Sequence, residues 1–283
     1  MVAGMIERTI LCLGLHGFYR MAYADWGIVE GRTVVCVHGL TRNGRDFDPL
    51  ATALEAGARI VCPDMPGRGL SDWLSHPEDY AYPTYLGAAA TLVASLGVDE
   101  VDWVGTSMGG IMGMFLAALP GTPIRRLVLN DVGAVVAAEG LRRLATYVGH
   151  DPSFADPAAL EAELRRIAAP FGPLTDAQWH HLARCSTRRR PDGTLGWAYD
   201  PRIGDAFRQG EPKDVDLWAQ WDAIKAPTLI IRGAESDILR HDDAVAMTAR
   251  GPRARLVELP GIGHAPALMA PDQIALVRDF LRA

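Results

Sequence analysis

Val101-Asp102-Trp103-Val104-Gly105-Thr106-Ser107-Met108-Gly109-Gly110-Ile111 is the stretch whose reading decides the fold of this chain. A run of β-formers leads into glycines that enclose a serine. The Ala-, Met- and Leu-rich residues 111–119 then continue with helical character until Pro120. The pattern G-x-S-x-G has mechanical meaning only between a strand and a helix, and here it lies between the two. So sharp a turn lifts the serine above the end of its strand, and Gly105 and Gly109 let neighbouring backbone close around it. The serine also sits at a helix N-terminus, where free N–H groups and the dipole favour an oxyanion. The competing readings are an ordinary glycine-rich turn and a phosphate-binding loop, but no lysine follows the glycines.

Outward from this turn, short β-rich runs alternate with helical patterns, as expected of a mostly parallel sheet covered by helices. Segments near 10–15 and 18–25 read as an opening hairpin or edge strands. Strands are expected at 33–38 (TVVCVH), 59–64 (RIVCPD), 101–106, 126–130 (RLVLN), 228–232 (TLIIR) and 255–259 (RLVEL). Continuous apolar runs such as VVCV and TLII suit strands buried on both faces. Leu86, Ala89, Ala90, Val93 and Ala94 recur at helical spacing before Gly97. Pro271 and Asp272 open a last helix that buries Ile274, Val277 and Phe280. Between about 133 and 214 the alternation stops and no convincing strand is read. Helical candidates take its place, one around Leu160, Leu164 and Ile167, the other opened by Thr175 with Gln178 as a capping box. The expected organisation is a core of residues 1–132 and 215–283, with residues 133–214 inserted as a helical cap.

At 283 residues, 49% of them apolar, the chain has ample material for one large buried core. A formal net charge of -6 gives no electrostatic reason to expect nucleic acid or an anionic membrane as partner. The one basic run, Arg188, Arg189 and Arg190, reads as a solvated loop, with contact to an acidic substrate as the alternative. Cys12, Cys36 and Cys62 sit in strand-like runs where a thiol behaves as a small hydrophobe, and Cys185 stands apart. No CxxC pair or metal-ligand spacing is present, so no disulfide framework is expected and the cytoplasm is the expected compartment. The apolar stretch 9–15 and Ala22-Tyr23-Ala24 imitate a signal peptide. Glu7, His16, Tyr19 and Arg20 argue against one. No run approaches the roughly 20 apolar residues that span a bilayer.

A serine hydroxyl needs a base. Of the eight histidines, His264 stands out. It follows the last expected strand in LPGIGHAP, and such loops at the carboxyl ends of parallel strands are where sites assemble. The base needs an acid to fix its tautomer. Asp237, after strand 228–232, leads, with Asp131 and Glu235 as rivals.

His38-Gly39, PDMPGRGLS over residues 63–71, GTSMGG, residues 232–239 and GIGHAP occur in this order over almost the whole chain. The sequence therefore resembles the α/β-hydrolase superfamily, in its cap-bearing branch of esterases, haloalkane dehalogenases, epoxide hydrolases and carbon–carbon bond hydrolases. The resemblance implies an α/β-hydrolase fold with an eight-stranded, mostly parallel sheet and an inserted helical cap. It implies a catalytic Ser107-His264-Asp237 triad and backbone N–H donors to the oxyanion at Leu40 and Met108. The PDMPGRGLS segment is given a structural place and no catalytic role. Asp237 lies one residue further from Gly233 than is usual in the family, which keeps Asp131 and Glu235 in play. Dehalogenases and epoxide hydrolases of this branch need a carboxylate nucleophile, so the serine disfavours both. The reading is a serine hydrolase of an ester, lactone or thioester, with a small-molecule substrate and no cofactor or metal. Its rivals are a carbon–carbon hydrolase with the same triad and a ligand receptor on the same fold. Phe154, Phe171, Trp179, Trp197, Tyr199 and Phe207 are candidate walls of the pocket, although packing of the cap against itself is the commoner fate of such residues.

Overall fold

The computed structural model describes residues 4–28, 30–208 and 210–283. Residues 1–3 and 29 of the expected core and 209 of the expected insertion lie outside the described residues. The strands, in chain order, are β1 (Ile6–Gly14), β2 (Gly17–Gly27), β3 (Arg32–Val37), β4 (Ala58–Pro63), β5 (Val101–Thr106), β6 (Ile124–Asn130), β7 (Val135–Val136), β8 (Thr187–Arg189), β9 (Leu195–Trp197), β10 (Val215–Asp216), β11 (Thr228–Gly233) and β12 (Arg255–Leu259). The α-helices are α1 (Asp48–Leu54), α2 (Tyr82–Ser95), α3 (Met108–Ala117), α4 (Ala138–Ala145), α5 (Pro157–Ile167), α6 (Asp176–Cys185), α7 (Trp218–Ala223), α8 (His241–Ala249) and α9 (Pro271–Arg282).

Eight strands form one sheet in the order β1-β2-β4-β3-β5-β6-β11-β12. The β1–β2 hairpin and the β2–β4 pair are antiparallel, and every pair beyond β4 is parallel. Alternation along the central strands feeds two cores. Val35, Val37, Trp103, Leu127 and Ile230 face α2, α3 and α7, whereas Val34, Cys36, Val104, Val128 and Ile231 face α1 and α9. Such double-sided burial is why VVCV is wholly apolar and why TLII has only Thr228 as a polar residue, its hydroxyl donating to Ala226 O at 2.9 Å. Every strand expected in the core is present. The parallel arrangement brings the carboxyl ends of β3, β5, β6, β11 and β12 to one edge, so residues distant in sequence are delivered to one place.

Residues 133–214 leave the sheet after β6 and return before β11, and among the described residues they contribute no strand to it. Their entry and exit lie side by side, because β7 pairs with β10 through Val136↔Val215 and Val135↔Asp216. The Thr175–Gln178 capping box is present at the start of α6. Phe154, Leu160, Leu164, Trp179, Leu182 and Trp197 pack on one another as a third core. The expectation of no strand in this segment needs correction, since β8 and β9 also form a hairpin there. Three-residue strands show too little alternation to be read. Their register is instead fixed by the Arg190 N–H donating to Thr194 O (2.8 Å) and by Gly193 at a φ of 87°.

The central helix α3 lies close on the sheet through its glycines. A Cβ on Gly113 would stand 2.6 Å from the indole of Trp103, which is fully buried and donates from Nε1 to Gly109 O at 2.9 Å. An indole so fixed cannot yield cheaply. Gly113→Ala is expected to cost about 2 kcal/mol by overpacking and to lower Tm by about 4–8 °C, read by calorimetry.

Candidate active site

Ser107 sits between β5 and α3 with φ 51° and ψ -115°, a conformation that L-residues rarely hold. The turn closes because Gly105 and Gly109 lack side chains. A Cβ on Gly105 would collide with the Gly109 carbonyl, and one on Gly109 with the Val37 carbonyl. The hydroxyl projects toward the loop after β12, where His264 Nε2 lies 2.9 Å from Ser107 Oγ. His264 is nearly buried, and its Nδ1 lies 2.7 Å from Asp131 Oδ2. An ionised carboxylate only accepts, so the hydrogen on Nδ1 points to Asp131 and Nε2 is left with a lone pair facing the serine. That arrangement can take the proton from Ser107.

The leading candidate acid from the sequence is therefore displaced. Asp237 does not reach His264; Arg143 of α4 holds it, with Nη2 donating to Oδ1 at 2.9 Å. Glu235 is exposed at the surface. Asp131, directly after β6, is buried in full and takes hydrogen bonds from Gly233 N–H (2.7 Å), the Ser236 hydroxyl (2.6 Å) and His264. Ser236 accepts the N–H groups of Ile238 and Leu239 (3.2 and 3.1 Å), which turns its own hydrogen toward Asp131. In this way the loop after β11 supplies a hydroxyl that braces the carboxylate, in place of the carboxylate itself.

Leu40 and Met108 flank Ser107. Met108 opens α3, so its N–H has no carbonyl within the helix to bond. The direction of the Leu40 N–H follows from His38. Met65 N–H donates to His38 Nε2 (2.9 Å), so Nδ1 carries the hydrogen and gives it to Gly39 O (2.7 Å), which also accepts from Arg42 N–H (3.1 Å). Gly39 C=O and Leu40 N–H belong to one trans peptide and point opposite ways. Anchoring the carbonyl on His38 thus turns the Leu40 N–H away from it. Burial pushes His38 down to about 3, so the ring stays neutral and keeps this pattern.

The cavity in front of Ser107 measures ≈ 70 Å³ and is mostly apolar, walled by Leu40, Leu144, Leu164, Ile167 and Phe171. Of the aromatic residues expected as walls, only Phe171 lines it, joined by Tyr147, which sequence pattern did not single out. Phe154, Trp179, Trp197 and Tyr199 belong to the third core, and Phe207 is half-buried outside the cavity. The basic run does not enter it either. Arg188 stacks 4.5 Å from the Trp73 ring, Arg189 is exposed, and Arg190 reaches Pro152 O at 2.9 Å. The arginine that does line the cavity is Arg42, held by Asp46 through Nε (2.8 Å) and Nη2 (2.6 Å) and by Ser186 Oγ through Nη1 (2.8 Å). Among the described residues one group has metal-ligand character, His16, His76 and Asp79. Its two rings stack at 3.7 Å, and it joins the β1–β2 turn, through His16, to residues 76–79 before α2, in a surface cleft that does not include Ser107.

A mostly parallel eight-stranded sheet with a serine, a histidine and a buried carboxylate linked at the carboxyl ends of its strands defines a hydrolase of the α/β type. The chain belongs to the alpha/beta hydrolase family, which matches residues 34–276. It is 42% identical over 281 residues to a 3-hydroxybutyrate-oligomer hydrolase of Cupriavidus necator, covering 96% of each protein. It is 36% identical over 274 residues to a non-heme haloperoxidase of Rhodococcus erythropolis, covering 89% of this chain and 92% of that one. The crystal structure of an α/β hydrolase from Novosphingobium aromaticivorans superposes with a TM-score of 0.88 at 36% identity, covering 100% of this chain and 99% of that one. No helix among the described residues is long and apolar enough to cross a membrane.

Two outcomes follow from these contacts. Asp131→Asn is expected to lower kcat on an aryl ester about 10⁴-fold, whereas Asp237→Asn, which loses only a part-exposed ion pair, stays within about threefold of wild type. The reverse ranking in steady-state assays would restore Asp237. For His38, the unfolded chain takes up a proton near the ordinary histidine value of about 6.5, and the folded chain resists until about pH 3. Its contribution to stability is full above the ordinary value and is lost as pH falls, by about 2–3 kcal/mol between pH 6.5 and 4.5. Thermal melts across that range are expected to decline more steeply for wild type than for His38→Gln.

Proposed function

We propose that this protein hydrolyses short carboxylic esters through an acyl intermediate on Ser107, with His264 as proton carrier and Asp131 as the acid. The observation that carries the reading is the continuous chain from Ser107 Oγ to His264 Nε2 (2.9 Å) and from His264 Nδ1 to Asp131 Oδ2 (2.7 Å). His264 takes the hydroxyl proton as Oγ attacks the ester carbon, and the carbonyl oxygen becomes an oxyanion facing the N–H groups of Leu40 and Met108. Collapse breaks the C–O bond, and the imidazolium returns the proton to the leaving alkoxide. Water, deprotonated by His264, then attacks the acyl-serine, and the second collapse releases the acid and restores the Ser107 hydroxyl. Asp131 carries its charge throughout and stabilises the imidazolium without taking the proton.

Residues 133–214 act in this reading as a cap. They supply Leu144, Tyr147, Leu164, Ile167 and Phe171 to the cavity and so restrict the acyl group to a few carbons. The relative from Cupriavidus necator suggests short oligomers of a hydroxy acid as substrate. Such molecules offer small apolar repeats, ester bonds and one terminal carboxylate. Arg42 supports this choice, because a guanidinium has five N–H donors and Asp46 and Ser186 occupy three of them.

A fluorophosphonate probe is expected to label Ser107, and Ser107→Ala to lose about a million-fold in kcat on p-nitrophenyl butyrate. Turnover that survives the alanine variant would overturn the acyl-serine reading. Among substrates, kcat/KM should favour the 3-hydroxybutyrate dimer and aryl butyrate over an aryl dodecanoate. A preference for a vinylogous diketone over all esters would move the assignment to carbon–carbon cleavage, and binding without turnover would make the protein a receptor.

A further inference from the structure

Four arginines of the described residues are buried: Arg42, Arg59, Arg68 and Arg232. Three have a carboxylate, Asp46, Asp25 and Glu258 respectively. Arg68, with no exposed surface at all, has only neutral partners. Its Nε donates to Leu40 O at 2.8 Å, and its Nη1 donates to Pro66 O at 2.7 Å and to the Tyr85 hydroxyl oxygen at 2.9 Å. Its Nη2 lies 3.6 Å from Met108 Sδ, and the rings of Tyr85 and Tyr80 flank it at 4.8 and 5.8 Å. An arginine does not lose its proton in a protein, so a full positive charge is held here in an apolar setting with no counter-charge. Such an arrangement is costly, and a chain of this size has many ways to avoid it.

The position of the charge accounts for it. Arg68 touches the two residues, Leu40 and Met108, whose N–H groups face the expected oxyanion, and it touches no substrate position. We propose that Arg68 is a positioning residue for the oxyanion site, fixing Leu40 and Met108 and supplying a buried positive charge whose counter-charge is the oxyanion itself. The inference rests on the acyl-serine reading above. A charge left unmatched in the resting enzyme and matched in the transition state favours the transition state selectively, which raises kcat without tightening substrate binding. A purely structural pin on the loop would need hydrogen-bond donors but no charge.

The two roles separate by substitution. Arg68→Gln keeps donors and removes the charge; Arg68→Lys keeps the charge and loses the planar fork. On p-nitrophenyl butyrate, Arg68→Gln is expected to lower kcat about 100-fold with KM within about threefold, and Arg68→Lys to recover at least about tenfold of that loss. Inhibition by butylboronic acid, which forms an anionic tetrahedral adduct on a catalytic serine, should weaken in Arg68→Gln by the same factor as kcat. Equal losses in both variants, a rise in KM with kcat retained, or an unchanged boronate inhibition constant would each overturn the proposal. If Arg68→Gln does not fold, Arg68→Lys decides: kcat within about tenfold of wild type supports the charge, and a loss of about 100-fold or more overturns it. A wild type that turns over no ester overturns the acyl-serine reading itself and this inference with it, an outcome distinct from all of the above.

Discussion

A carboxylate taken wholly out of water must be given hydrogen bonds, and the way Asp131 obtains them organises the site. One comes from the backbone at the end of β11, one from the hydroxyl of Ser236 and one from the ring of His264. Two loops, one 102–105 and the other 133 residues further along the chain than Asp131, are thereby drawn to its pair of oxygens. The main chain at Asp131 accepts a positive φ of 57° to present the side chain there, as Ser107 does at 51° on the neighbouring strand. Both strained residues end parallel strands that are hydrogen-bonded along their length, so the sheet supplies the rigidity that holds them. The histidine is oriented by what its far nitrogen meets. Its near nitrogen faces the serine as a result.

A second set of contacts works on the opposite side of the serine with different means. His38, kept neutral by burial, aims one peptide by accepting from Met65 and donating to Gly39. Arg68, kept charged, grips the next carbonyl. The two buried bases sit on successive carbonyls of one short loop, one without charge and one with it. The loop after β4 supplies both Met65 and Arg68, which ties a segment outside the serine–histidine–carboxylate chain to the geometry around the serine.

Much of this is legible in the amino-acid sequence. Alternating apolar runs gave the eight strands, and G-x-S-x-G between a strand and a helix located Ser107. His264 stood out by following the last strand in a loop of fixed irregular path. The acid was harder. Asp131 and Asp237 each follow a strand, and the difference between them lies in partners that no local pattern encodes: Arg143 on α4, 94 residues away in sequence, and Ser236 beside Asp237. Arg68 was hidden for a similar reason. It stands in a motif read as a structural loop, and only the absence of a carboxylate around it, a property of three-dimensional packing, sets it apart from the other buried arginines of the described residues. The β8–β9 hairpin escaped because three-residue strands leave no period to detect.

The clasp of β7 on β10 has a consequence of a different kind. It closes the excursion of residues 133–214 at its base with four valine and aspartate positions, Val135, Val136, Val215 and Asp216, so the neighbouring sheet strands receive the chain at the same spacing whatever lies between. Loop closure grows only logarithmically with length. Selection can therefore lengthen, shorten or replace the segment above the clasp at small thermodynamic penalty, leaving the registers of β6 and β11 untouched. In this fold the part that shapes the cavity is free to drift, while the part that holds the serine is held still.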